Sequence, residues 1–191
     1  MKWFILSQSF AMTAASVSFP FYLLFIQNLG NSFSSFGFAY GLFTLSAALS
    51  HRLIGKLADR TGGFGLLIVY AVGMSFLFLL IPSVTSIKMV YFMQICLGVL
   101  GAVQKTSEKV VLSEMPSNGG RGKMIGNYHF WTSFCSSFAV MGTGLLLNYF
   151  TIHFIFYGCS VFFLSSSIFM VISYSNFQRT HKLDEKRTIG N

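Results

Sequence analysis

The sequence predicts an all-α membrane protein of six transmembrane helices. Three observations carry that reading. Of the 191 residues 53% are hydrophobic and only 9% charged. The apolar residues fall into six runs divided by turn-forming residues. The basic residues gather in alternate connections between those runs. A soluble domain carries about 25% charged residues, and a chain this poor in them does not cover its own surface in water.

The first run extends from Trp3 to Gln27 and ends at Asn28-Leu29-Gly30-Asn31. It exceeds the ~7–15-residue core of a signal peptide, so it reads as a retained span. Pro20 inside it predicts a kink. The other spans are expected at about 33–53, 64–81, 88–113, 124–147 and 152–174, with residues 175–191 as a basic cytoplasmic tail. A helix needs roughly 20 residues to cross the hydrocarbon core, and these runs are near that length. Gly62-Gly63, Pro82, Pro116–Gly122 and Asn148 supply the breaks.

Twelve of the 13 Lys and Arg residues fall on one side if the spans alternate. They are Lys2, then Arg52, Lys56 and Arg60, then Lys105, Lys109, Arg121 and Lys123, and finally Arg179, Lys182, Lys186 and Arg187. Lys88 alone falls on the other. Basic residues hold the cytoplasmic side, so both termini are expected there, with the cell membrane as the site. The formal charge of +8 is therefore topological and implies no nucleic-acid partner. Cys96, Cys135 and Cys159 lie far apart within apolar runs, as small buried residues do, and form no metal knuckle.

The connection after the second run reads Gly55-Lys56-Leu57-Ala58-Asp59-Arg60-Thr61-Gly62. A glycine here lets a neighbouring backbone approach a helix end. Asp59 can accept from free N–H groups at a helix amino end, and Arg60 can donate to helix-end carbonyls or a facing carboxylate. Such a connection can clamp one conformation and release in another. This stretch resembles the signature of the major facilitator superfamily, of the form G-x-L-A-D-R-x-G-R-[KR], which joins the second and third helices of each six-helix half. Leu29-Gly30-Asn31-Ser32 and Arg121-Gly122-Lys123 with Gly126 also resemble that family, and the likeness runs to about Tyr174. The chain departs from the pattern at Gly63-Phe64-Gly65, where the family has basic residues.

The resemblance implies half of a major-facilitator bundle, since complete members have twelve helices. The fourth run lacks an arginine four residues before Gly98, having Gln94, and the fifth has Gly142-Thr143-Gly144 without proline. Thr106–Lys109 with Arg121–His129 looks more like a second half. Alternating access in an efflux-type permease is then the expected activity. It needs a homodimer partner or a complementary six-helix half, in contact with membrane lipid and an unknown small-molecule substrate. The contrasting expectation is a truncated transporter remnant, or a small membrane interaction protein, without transport.

No Asp, Glu, Lys or Arg lies at mid-bilayer depth, where ionisable residues mark proton relays. Glu108 comes nearest, close to the inner surface, and a local pair with Lys105 at i,i+3 is its plainer role. Gln8, Gln94, Asn127 and Tyr128 are candidates for a substrate path, with Thr13, Gln27, Tyr91 and Trp131 as further polar positions; Trp3 and Trp131 also suit the membrane interface. Gly37-Phe38-Ala39-Tyr40-Gly41 is a G-x-x-x-G, expected to pack inside the bundle. The four histidines (His51, His129, His153, His181) are scattered, and no catalytic constellation, metal site or cofactor motif is present. No enzyme activity is expected.

Reporter fusions after Lys2 and after Arg187 should both read cytoplasmic, and one near Pro82 external. An external terminus in either fusion rules out the six-span order.

Overall fold

Hydrocarbon offers a backbone N–H or C=O no water to bond, so a chain of this composition satisfies them within helices. The computed structural model describes residues 1–30, 33–115 and 120–189. For 19, 21, 23–30, 33 and 180–189 it describes the backbone alone. Six α-helices make up the described chain, without a strand: α1 (Lys2–Gly30), α2 (Phe33–Thr61), α3 (Gly63–Leu80), α4 (Ile87–Glu114), α5 (Arg121–Leu146) and α6 (Ile152–Ile189). Among the described residues three helical segments are long and apolar enough to cross a membrane: Gly63–Ser83, Ile87–Glu114 and Ile152–Arg179. The 26-residue α5 has spanning length too, but His129, Thr132, Ser133, Ser136 and Thr143 dilute its apolar character.

Local signals explain several ends. Pro82 closes α3 in a single 3-10 turn, Ile81–Ser83, because proline has no N–H to continue the ladder. Ser86 then caps α4, its hydroxyl accepting from the Met89 amide at 3.4 Å. Between α2 and α3 only Gly62 is non-helical. Its φ of 78° lies in the left-handed region that glycine enters without strain.

The packing has an internal symmetry. α1 lies against α5 and α6; α4 lies against α2 and α3; and α3 lies against α6. Exchanging the first three helices for the last three reproduces this pattern. It is that of two three-helix repeats. Polarity is arranged inside out. Leu45, Leu49, Phe76, Phe138, Met141 and Val161 are exposed, while Ser7, Gln8, Ser75, Gln104, Ser107 and Ser166 are buried.

Hydroxyl pairs and glycines set the helix spacing. Ser75 and Ser160 each donate to the other's backbone carbonyl, at 2.9 and 2.8 Å, clasping α3 to α6. Ser7 donates to the Ser166 carbonyl at 2.8 Å and ties α1 to α6. At Gly98 a Cβ would overlap Ser46 Oγ and the Phe43 carbonyl, so α2 and α4 touch backbone to backbone there. Gly63 allows α3 the same approach to Ser107 and Val111 of α4.

Two expectations need correction. The stretch Gly55–Arg60 is not a loop, because α2 runs on to Thr61. The backbone of the expected tail is helical, α6 continuing past 174 to Ile189. Gly37 and Gly41 are exposed with nothing near either Cα position, so they do not pack within the bundle. The buried residue of that stretch is Ala39, about 200° round the helix from both. The connection 116–119 and Asn31-Ser32 lie outside the described residues.

Gly98→Ala should lower the stability of the purified chain in detergent by about 1–3 kcal/mol, the usual range for overpacking. Gly41→Ala should not lower it, and should raise it by up to about 1 kcal/mol, because alanine is the better helix former. Thermal unfolding followed by circular dichroism measures both.

Candidate functional site

Helix α4 places Gln104 and Glu108 one turn apart, on the face turned to α1 and α5. Glu108 is 9% exposed, making it the one buried acid among the described residues. The Tyr128 hydroxyl of α5 donates to Glu108 Oε1 at 2.8 Å. Gln104 Nε2 donates to Glu108 Oε2 at 3.3 Å and to Gln8 Oε1 of α1 at 2.7 Å. One chain of hydrogen bonds therefore joins α1, α4 and α5. Phe4 stacks on the Tyr128 ring at 5.6 Å and completes its burial. Two buried polar atoms beside this chain have no partner among the described residues, Gln104 Oε1 and Ser107 Oγ.

A cleft of about 750 Å³ opens between α1 and α5. Its walls are two stripes at helical spacing, Ile5, Leu6, Ser9, Phe10 and Thr13 on α1 and Asn127, Trp131, Phe134, Cys135 and Phe138 on α5, with Phe162 of α6 between them. The surface is aromatic, with Ser9, Thr13 and Asn127 as isolated polar points and Lys2, at the start of α1, as its one charged residue. Sites for small molecules commonly have this make-up and lie within about 300–1,000 Å³. Each wall is continuous with the buried network, since Gln8 precedes Ser9 and Tyr128 follows Asn127.

Of the substrate-path candidates, Gln8 and Tyr128 converge on Glu108, and Asn127 faces the cleft. Gln94 does not join them. It lies ten residues before Gln104, about 15 Å along α4. It lines a separate cavity of about 150 Å³ with Tyr22, Phe43 and Phe78. Tyr91 packs edge-on against Phe38 at 5.0 Å. Trp3 stacks on Phe169 at 6.1 Å. The side chain of Gln27 lies outside the described residues. Gln104 escaped the sequence reading, although its i,i+4 relation to Glu108 was the available signal.

The pairing of Lys105 with Glu108 is corrected. The carboxylate turns inward to Tyr128 and Gln104, while Lys105 stays on the exposed side of α4. Both still border a cleft of about 330 Å³ at the basic end, with Lys109, Arg121 and His129. There Arg121 donates from Nη2 to the Ser113 carbonyl at 2.8 Å, satisfying a helix carboxyl end as a cation does best. Nearby, His51 Nδ1 and Thr106 Oγ1 meet at 3.0 Å, joining α2 to α4.

In the suspected gating stretch Gly55 is half-buried, Asp59 and Arg60 are exposed, and Gly62 forms the turn. No side chain caps α3, so the capping role considered for Asp59 is not what forms. The reason is positional. Asp59 falls in the last turn of α2, at a carboxyl end, where Arg60 rather than an acid suits the dipole.

A sequence model of the Major Facilitator Superfamily matches residues 4–189. The chain is 44% identical over 158 residues to the MFS-type transporter YitZ of Bacillus subtilis (strain 168), a match covering 83% of this chain and 96% of that protein. It is 23% identical over 172 residues to the MFS-type transporter YuxJ of the same organism, covering 87% of this chain but only 43% of the relative. No solved structure gives a significant match. The chain belongs to the Major Facilitator Superfamily. It is an integral membrane protein of a transporter family, not an enzyme.

Gln104→Leu should destabilise the bundle by about 1–3 kcal/mol, because Gln8 and Glu108 both lose their donor inside it. Asn127→Ala, which touches only the cleft, should stay within about 0.5 kcal/mol of the parent. Unfolding of the purified variants in detergent distinguishes the two.

Proposed function

We propose that the chain is a six-helix permease unit that exports or exchanges a small molecule across the cell membrane. The cleft between α1 and α5 is the observation that carries this reading. It has the size and aromatic lining of a small-molecule site, with a few polar groups that can orient a ligand and the cationic Lys2 among its lining residues. Its occupant would be a largely apolar, aromatic-rich compound. In this reading all six helices cross the bilayer, and both termini face the cytoplasm. The twelve-to-one placement of the basic residues supports that orientation.

Transport proceeds by alternating access, in which two six-helix units rock about the path between them. The second unit is another copy of this chain or a separately encoded half. Exposed glycines at Gly37 and Gly41 leave a face of α2 where another helix can approach closely. Asp59 and Arg60, exposed at the end of α2, serve as the conformational clamp in this assembly.

The test reconstitutes the full chain in liposomes, cross-links it, measures the mass of the species and follows uptake of a panel of lipophilic aromatic dyes. A dimeric species should move dye, and Asp59→Asn should slow that movement several-fold without impairing insertion. Dye movement by a monomer defeats the two-unit scheme. An inserted chain that moves nothing, alone or with a second half, favours a membrane interaction protein instead.

A further inference from the structure

Glu108 has properties that neither topology nor helix packing requires. It is a buried carboxylate whose two oxygens accept from two different helical partners. It is also accessible from one side, since it borders the cleft of about 330 Å³ at the basic end. Ionisable groups held inside membrane bundles commonly serve ion or proton movement. We propose that Glu108 is a proton-binding site whose protonation loosens α1 from α4 and reshapes the cleft between α1 and α5.

The hydrogen-bond directions give the mechanism. Gln104 uses Nε2 for both of its bonds, to Gln8 and to Glu108, and leaves Oε1 buried and unpaired. A proton taken up on Glu108 Oε2 turns that acceptor into a donor facing the Gln104 amide. Donor then meets donor. Rotating the Gln104 amide relieves the conflict by presenting the idle Oε1 to the new O–H. The same rotation sets Oε1 against Gln8 Oε1, acceptor against acceptor, so Gln8 must turn or part. The disturbance thus passes to α1 beside Ser9. Tyr128 still donates to Oε1 and keeps α5 in place. One wall of the cleft moves relative to the other.

Other charged or titratable groups surround the site. α4 contributes Lys105 and Lys109, α5 contributes Arg121, Tyr128 and His129, and α3 contributes Tyr70. α2 brings His51 to Thr106, two residues from Glu108. α1 contributes the uncharged Gln8. The two histidines are the rival proton acceptors, so the test removes each in turn.

The chain has two tryptophans, and Trp131 lines the cleft. In full-length protein carrying Trp3→Phe, the emission of Trp131 should pass through one transition as the pH is varied. An infrared band of a protonated carboxyl should vanish along the same curve. Glu108→Gln should abolish both, whereas His129→Gln and His51→Gln should retain both. Tyr128→Phe removes a donor to the charged form, so its transition should move up by about one pH unit. The proposal is overturned if the parent shows no transition, if the transition survives Glu108→Gln, or if it disappears with either histidine. Should Glu108→Gln fail to fold, an unmoved midpoint in Tyr128→Phe overturns it equally. The measurement requires no substrate, so its failure leaves the transport reading intact.

Discussion

A lipid surround supplies no hydrogen bonds, and the other features of this chain follow from that constraint. Backbone groups are satisfied by helix formation over nearly all the described length. Polar side chains then face inward, where they find partners on neighbouring helices. Serine is the main device, in the Ser75–Ser160 and Ser7–Ser166 pairs. With apolar side chains as stable in lipid as in the core, helices gain by close contact and paired polar groups rather than by hiding oil from water. The near-backbone contacts at Gly98 and Gly63 meet that requirement.

The same constraint gives Glu108 its character. A carboxylate in such an interior persists only with donors on it, and two helices provide them. Those donors also make the acid a junction. α1 and α5, which wall the larger cleft, are both tied to α4 at this point. The internal symmetry places α1 and α4 in equivalent positions, each embraced by two helices of the opposite repeat. A contact between these two central helices therefore reaches every layer of the bundle.

The limits of the gating stretch illustrate how local motifs depend on their setting. Asp59 and Arg60 are soluble in any loop, and their chemistry suits capping. Helix α2 extends through them, however, which makes the expected connection a helix end followed by a one-residue turn at Gly62. Nothing in Ala58-Asp59-Arg60 opposes helix, and the stop arrives only with the glycine pair. Likewise, Gly37 and Gly41 satisfy a packing pattern, but a helix has one face toward each neighbour. Ala39 took the inward one.

Sequence by itself determined the membrane class, the number and approximate position of the helices, and the family likeness. These depend on composition, on apolar length and on where breakers and basic residues fall, all of which are properties of contiguous chain. It also singled out Gln8, Glu108 and Tyr128, because polar residues in apolar helices stand out. It did not reveal that they form one network through Gln104, that Gln94 belongs to another cavity, or that Glu108 turns away from Lys105. Those outcomes depend on how α1, α4 and α5 are rotated about their axes. Only tertiary packing decides that rotation, because it brings together residues 8, 104 and 128, which are far apart along the chain.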